Sequence, residues 1–133
     1  MLKHVADSLR KEKRIIYTAF SRRNFCYREH VSKFVLEQGC VPLNPFMIFN
    51  YYMLDTVPRD TVREANNNLV RIADEIWVFG EIADGVASEI RYAKETDKPL
   101  KYFSLKNLPG QMAEIKEAEV EFEPGLGNDD LKP

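Results

Sequence analysis

Short apolar segments alternate along this chain with longer amphipathic segments, and this alternation constrains the fold more than any other feature. The apolar segments are rich in β-branched and aromatic residues and are predicted strands, at 15–20, 40–43, 75–80 and 100–103. The segments between them have helical spacing and are predicted helices, at about 25–38, 58–72 and 86–96. The resulting β-α-β-α-β-α-β order predicts an α/β fold with a parallel sheet covered by helices on both faces.

The chain has 133 residues, which is the usual size of one domain. We predict a single three-layer domain of the flavodoxin- or Rossmann-like type over residues 1–123. A helix at about 111–118 and an edge strand at 120–123 are predicted to complete it. Residues 124–133 contain glycine, proline and aspartate and are predicted to form a flexible tail.

Charge and composition exclude several classes of partner. The net charge is −2, so neither nucleic acid nor an anionic membrane surface is expected to bind. No segment has the ~18 apolar residues of a membrane span, and residues 1–14 lack the apolar region of a secretory signal. We therefore predict a cytoplasmic protein. The two cysteines and two histidines have no zinc-site spacing, and no metal site is predicted.

Polar residues follow the predicted strands at the edge where parallel sheets bind ligands. The segments that meet there are 21–23, the loop after Leu43, and 81–89. Neither standard glycine-rich phosphate loop occurs in the sequence. This argues against a P-loop NTPase and against a Rossmann dehydrogenase.

Glu89 is the strongest candidate for a reactive group. It lies in the first turns of a predicted helix that is entered through Gly85, just past a buried strand. The amino end of a helix favours an ionised carboxylate, and such a carboxylate beside a sugar can attack the anomeric carbon or stabilise an oxocarbenium ion. The alternative is a first-turn glutamate that interacts only with the helix dipole.

Two groups of polar residues flank this candidate. Ser21 and Arg23 follow the first strand, where they can bind a phosphate, although a solvated basic loop has the same composition. Glu81 and Asp84 lie in the loop before the Glu89 helix, and Glu81 can orient a ribose hydroxyl. Loop carboxylates such as these are more often merely solvated.

An apolar, aromatic run covers residues 46–54 (FMIFNYYML). It can stack a nucleobase, but it can also form a buried lid or a subunit interface. Left exposed, it would make an unusually large apolar patch for a monomer. We therefore predict a homo-oligomer, either a dimer or a larger assembly.

The segments 74–80 (DEIWVFG), 84–93 (DGVASEIRYA) and 97–99 (DKP) together resemble the nucleoside 2-deoxyribosyltransferase-like superfamily. In that family a strand and a glycine-containing loop lead to a nucleophilic glutamate, which Glu89 matches. An alanine follows four residues later, and a Lys-Pro turn precedes the next strand, as at Ala93 and 98–99.

The first strand extends this resemblance to the deoxynucleotide N-hydrolases. Tyr17, Ser21 and Arg23 have the spacing of a family tyrosine, serine and arginine that surround the sugar and phosphate. The resemblance covers about residues 14–104. It is closest to an uncharacterised bacterial and archaeal branch with the same Trp-Val-Phe-Gly and Asn-Pro-Phe-Met elements.

The chain departs from the family pattern at two places. Where transferases and hydrolases carry an aspartate that faces the nucleophile, this chain has Asn66, which cannot act as a general acid. Six residues before Glu89, where the family often has Asp or Ser, stands Ala83, with Asp84 one residue later.

The resemblance implies an N-hydrolase or deoxyribosyltransferase that acts on a nucleotide or nucleoside without a cofactor or metal. Glu89 is the implied nucleophile, with Tyr17 and Asn66 positioning the sugar or the carboxylate. The implied substrate-binding residues are Ser21, Arg23, Asp84, Gly85, Ser88 and Glu81. Two alternatives stay open. One is a non-catalytic sensor of nucleotide derivatives, and the other is an interaction module whose aromatic run is only an interface.

Overall fold

The computed structural model of the protein describes residues 2–49 and 56–133. Within these ranges the chain forms one five-stranded sheet. The strands are β1 (Ile15–Phe20), β2 (Val41–Leu43), β3 (Glu75–Phe79), β4 (Leu100–Ser104) and β5 (Ala113–Ile115). Their order across the sheet is β2-β1-β3-β4-β5, which places β1 and β3 in the interior.

Helices connect these strands. They are α1 (Arg28–Glu37), α2 (Pro45–Ile48), α3 (Arg59–Ile72) and α4 (Asp84–Glu95). Short 3₁₀ turns also occur, at Val5–Ser8, Arg22–Tyr27, Glu117–Glu119 and Asn128–Leu131. Among the described residues, no helix is long and apolar enough to cross a lipid bilayer.

The first four strands pair in parallel, and β5 pairs antiparallel with β4. In the central pair, Ile16 lies opposite Glu75 and Phe20 lies opposite Phe79. The α/β class with a mostly parallel sheet, predicted from the alternation of elements, is confirmed. Each of the four strands predicted in the parallel part is present, within a residue at each end.

Both faces of the sheet are covered, which explains why β3 is apolar without alternation. All five residues of β3 are buried. On one face, Val31 and Val35 of α1 pack in a cluster with Phe79. On the other face, α3 and α4 cover Tyr17 and Val78. The sheet is thus the middle of three layers.

The helix predicted at 111–118 is wrong. The structure has β5 at Ala113–Ile115 and a 3₁₀ turn at Glu117–Glu119. The segment contains good helix formers, but the outer edge of β4 offers unpaired backbone groups that β5 satisfies. Tertiary pairing therefore overrides local propensity here.

The segment predicted as an edge strand at 120–123 makes a single parallel bridge, between Phe122 and Ile82. The Ile82 N–H donates to the Glu121 carbonyl at 2.8 Å, and the Glu123 N–H donates to the Ile82 carbonyl at 2.9 Å. The segment therefore lies beside the loop that follows β3.

The structure also differs from the flexible tail predicted for residues 124–133. Leu131 is 2% exposed and belongs to the core cluster beneath α4. The Arg91 Nη1 donates to the Asp130 carbonyl at 2.6 Å. The burial of Leu131 offsets part of the entropy cost of ordering this segment, and composition alone does not reveal it.

Candidate functional site

Glu89 lies on the buried side of α4. The helix turns its apolar stripe, Val86, Ile90 and Ala93, onto the sheet, and Glu89 stands one position before Ile90 in that stripe. A carboxyl group is therefore held where helical spacing normally places an apolar side chain. The residue is partly exposed, but its Oε2 atom is fully buried.

A small cavity of about 60 Å³ lies in front of this carboxyl group. It is formed by β1, α2 and the residue after it, α3 and α4. Its walls are Tyr17, Thr18, Phe20, Pro45, Phe46, Phe49, Val62, Asn66 and Glu89. The structure thus brings together the three residues predicted to be catalytic, which are Tyr17, Asn66 and Glu89.

Two polar atoms at this cavity have no hydrogen-bond partner among the described residues. They are the buried Asn66 Oδ1 and the buried Glu89 Oε2. An unsatisfied buried polar atom costs about 1–3 kcal/mol, so native structures rarely keep one without a reason. Both atoms accept hydrogen bonds, and a ligand that carries hydroxyl or N–H donors satisfies them.

Burial raises the pKa of Glu89 to about 7, and a hydrogen bond from the Tyr17 hydroxyl opposes this rise. Burial also raises the pKa of Tyr17 well above its usual value, and the nearby Glu89 charge adds to that shift. Near neutral pH, Tyr17 is therefore a neutral donor, while Glu89 titrates.

A poorly solvated carboxylate is stabilised by any positive charge that develops beside it. Glu89 is thus suited to attack an electron-poor carbon or to stabilise an oxocarbenium ion. Asn66 can hold a hydroxyl group but has no acidic proton to give.

Ser21 and Arg23 come together after β1, but around a carboxylate of the protein itself. Ser21 is 4% exposed, and its Oγ accepts a hydrogen bond from the Arg23 N–H at 3.2 Å. The same hydroxyl donates to the Glu123 Oε2. The Arg23 Nε lies 3.7 Å from that oxygen.

The other predicted binding residues do not line the cavity of Glu89. Asp84 and Gly85 are exposed, and the Gly85 N–H donates to the Asp84 Oδ1 at 2.7 Å. Ser88 is exposed on the outer side of α4, in an open depression that it shares with Asn67.

Glu81 lines a second and larger cavity, of about 470 Å³, at the carboxyl ends of β3 and β4. The Asn24 Nδ2 donates to the Glu81 Oε1 at 3.4 Å. Gly80 closes one side with a φ of 78°, and a Cβ there would lie 2.8 Å from the Asn24 Nδ2. Glycine is therefore required at this turn.

Sequence reasoning missed part of the site. Val62 belongs to the cavity wall, and no motif predicted it. Phe46 and Phe49, also in the wall, were noted only as members of the aromatic run, of which residues 50–54 lie outside the described ranges. Glu123 was not identified either, because it meets Ser21 from 102 residues away. Within the described ranges no three metal-ligating side chains cluster as a metal site would require.

Comparison with known proteins shows similarity to one family model and to solved structures. The model of a family described as "Domain of unknown function (DUF7768)" matches residues 16–103. The fold is similar to a solved structure of a 2-deoxyribosyltransferase from Leishmania mexicana, with a TM-score of 0.56 and 21% identity over 83% of each chain. No curated protein matches the sequence significantly.

Proposed function

The chain belongs to the DUF7768 family, and from this premise and the site geometry we propose that it cleaves or transfers the N-glycosidic bond of a nucleoside or nucleotide. One observation carries the proposal: Glu89 lines a cavity, its buried Oε2 has no hydrogen-bond partner among the described residues, and burial raises the pKa of Glu89 to about 7. The fold likeness to a 2-deoxyribosyltransferase supports it.

In this proposal Glu89 acts on the anomeric carbon of the sugar. Its carboxylate attacks the carbon as the bond to the base breaks, or it stabilises the oxocarbenium ion until water or a second base arrives. The bonding electrons leave with the base. Tyr17 donates a hydrogen bond to the carboxylate, and the Asn66 Oδ1 accepts one from a sugar hydroxyl.

The cavity is small for a whole nucleoside. Its volume of about 60 Å³ is well below the roughly 300–1,000 Å³ that is typical of small-molecule pockets. Binding in this proposal therefore requires an outward movement of the wall formed by Phe46 and Phe49. The base extends past these rings, which offer it an apolar face.

A second candidate function is non-catalytic binding of a nucleotide derivative, and Asn66 favours it. An enzyme that releases an ordinary base needs a proton for the leaving group, and an amide supplies none. Ala83, which stands where the resembled family often has Asp or Ser, also favours non-catalytic binding. In this case the protein binds its ligand tightly and leaves it intact.

Incubation with a panel of nucleosides and nucleotides, followed by chromatography for free base, tests the proposal. We expect the parent protein to release base from at least one compound and Glu89→Gln to lose that activity by orders of magnitude while binding persists. The matched control is Glu95→Gln, an exposed glutamate on the same helix, which should keep full activity.

Equal base release by the parent and by Glu89→Gln removes Glu89 from the mechanism. Tight binding of a compound without any base release supports the sensor instead. Calorimetry on the same panel separates these outcomes, because it detects binding whether or not the bond breaks.

A further inference from the structure

We propose that Glu123 is a specificity-determining residue that excludes a phosphate group from the site, so that the substrate is an unphosphorylated nucleoside. This inference rests on the proposed function and narrows its substrate class. It comes from a carboxylate that occupies the position at which a hydroxyl and a guanidinium converge after β1.

Glu123 is held in place by its backbone as well as by its side chain. Its N–H donates to the Ile82 carbonyl at 2.9 Å, and the Ile82 N–H donates to the Glu121 carbonyl at 2.8 Å. Ile82 is itself fully buried, so the strip of chain that carries Glu123 is tied to the core beside α4. The side chain of Glu123 is 16% exposed.

The groups that Glu123 meets are those that bind a phosphate oxygen. The Ser21 hydroxyl donates to its Oε2, and the Arg23 Nε lies 3.7 Å from the same atom. A hydroxyl and a guanidinium make charge-assisted hydrogen bonds to a carboxylate and to a phosphate alike. Glu123 therefore uses these donors and repels a second anion that approaches them.

The occupied position is joined to the cavity of Glu89 through the residues that precede and follow it in the chain. Ser21 follows Phe20, which lines that cavity, and Ile82 lies just before α4, which carries Glu89. Glu123 contacts Ser21, which follows β1, and pairs with Ile82 in the loop after β3. Because β1 and β3 are neighbours in the sheet, Glu123 lies at the carboxyl ends of both strands. A phosphate at the end of the sugar away from the base would have to displace it.

Titration calorimetry with 2′-deoxynucleosides and their 5′-monophosphates tests the inference. We expect the parent to bind the nucleoside more tightly than the matching monophosphate. Glu123→Gln keeps an oxygen for the Ser21 hydroxyl but removes the charge. It should strengthen monophosphate binding by about ten- to a hundredfold, the usual range for one charge-assisted contact, and should leave nucleoside binding nearly unchanged.

Two further variants test whether the effect is specific to Glu123 and depends on Arg23. Glu121→Gln removes a charge of the same sign from a side chain that pairs with Lys106, and it should leave the preference unchanged. Adding Arg23→Ala to Glu123→Gln should abolish the gain for the monophosphate. Circular dichroism verifies that each variant is folded, and Glu123→Ala replaces Glu123→Gln if the latter does not fold.

The outcomes separate this inference from the proposed function. A parent that releases base faster from monophosphates than from nucleosides overturns the role of Glu123 and keeps the enzyme. If Glu123→Gln prefers the nucleoside over the monophosphate as strongly as the parent does, the role of Glu123 is likewise overturned and the enzyme proposal stands. Selective nucleoside binding without base release keeps the role of Glu123 and overturns the enzyme. A parent that binds no compound of either class overturns both.

Discussion

A carboxyl group in the apolar stripe of α4 is a local compromise between stability and reactivity. Glu89 precedes Ile90 on the helix face that packs on the sheet, and within the described part of the chain its buried Oε2 has no hydrogen-bond partner. An apolar side chain of similar size would satisfy the packing at lower cost. Natural sites keep such costs where chemistry requires them.

The raised pKa of Glu89 predicts the pH dependence of catalysis. If the ionised carboxylate reacts, kcat/KM should rise with pH and level off above about 7, which is the pKa of this group. Tyr17→Phe removes the hydrogen bond that lowers this pKa, so the rise should move to higher pH. Base release measured from pH 5 to 9 gives both profiles.

An exposed glutamate supplies the comparison. Glu95→Gln should show the profile of the parent. A kcat/KM that is constant from pH 5 to 9 contradicts the assignment of its rise to Glu89. So does a rise that moves to lower pH in Tyr17→Phe.

The same pKa shift predicts a pH dependence of stability. The carboxyl titrates at about 7 in the folded protein and near 4.5 when unfolded, so the folded state holds the proton more tightly between these values. The free energy of unfolding should therefore fall as pH rises from about 4.5 to 7, by roughly 2–3 kcal/mol from this group. Urea denaturation of the parent and of Glu89→Gln measures the difference between their free energies of unfolding. This difference should change between about pH 4.5 and 7 and stay constant at higher pH.

A substitution at Asn66 tests whether an acid at this position speeds base release. Asn66→Asp introduces a titratable group beside Glu89 at the same side-chain size, and it restores the acid that the resembled transferases and hydrolases carry. If base release by the parent is limited by leaving-group protonation, this variant should be faster, by up to the roughly hundred- to ten-thousandfold that is typical of general acid catalysis. Chromatographic rates at matched substrate concentration check this. A slower variant that still binds substrate shows that Asn66 acts through its amide.

Local motifs predicted three residues of the cavity, each of which lies on a regular element. Tyr17 lies on β1, Asn66 on α3 and Glu89 on α4, and the parallel topology brings them together. Ser88 was misplaced because a helix turns it 100° from Glu89, toward the outer surface. Glu123 has no local signal, because its partners are set by tertiary structure.

At the scale of elements, long and strongly patterned segments were predictable and short ones were not. β3 and α3 match their predicted bounds to within about a residue. β5 has three residues and is defined by the edge it covers, so its sequence alone reads as helix. Pairing partners decide the state of so short a segment.

The 3₁₀ turn at Asn128–Leu131 predicts a stabilising role for the end of the described chain. Leu131 is 2% exposed, and Leu131→Ala should lower the free energy of unfolding by about 2–4 kcal/mol. The control is Leu36→Ala, since Leu36 is 59% exposed on α1 and its loss should cost little. Urea titrations of both variants give the comparison. Equal costs would favour the flexible tail that composition predicts.

For the whole molecule, the predicted homo-oligomer stays a prediction. Met47 and Ile48 of the aromatic run are about half exposed, at 50% and 47%, which leaves apolar surface on this side of the domain. We expect light scattering at micromolar concentration to give a dimer or larger, and Met47→Lys to reduce that mass by placing a charge in the contact. A monomer mass for the parent contradicts the prediction.

The central position of β1 has a consequence for how the protein is made. One of its two neighbours in the sheet, β3, is synthesised about sixty residues after it. At typical translation rates of 5–20 residues per second, the apolar IIYTAF segment spends about 3–12 s without that partner. Its unpaired edge is a template for pairing with other nascent chains. Slow synthesis at low temperature lengthens this exposure, whereas chaperones that bind apolar strands shorten it. The yield of soluble protein should therefore depend on whether β1 is covered until β3 has been synthesised.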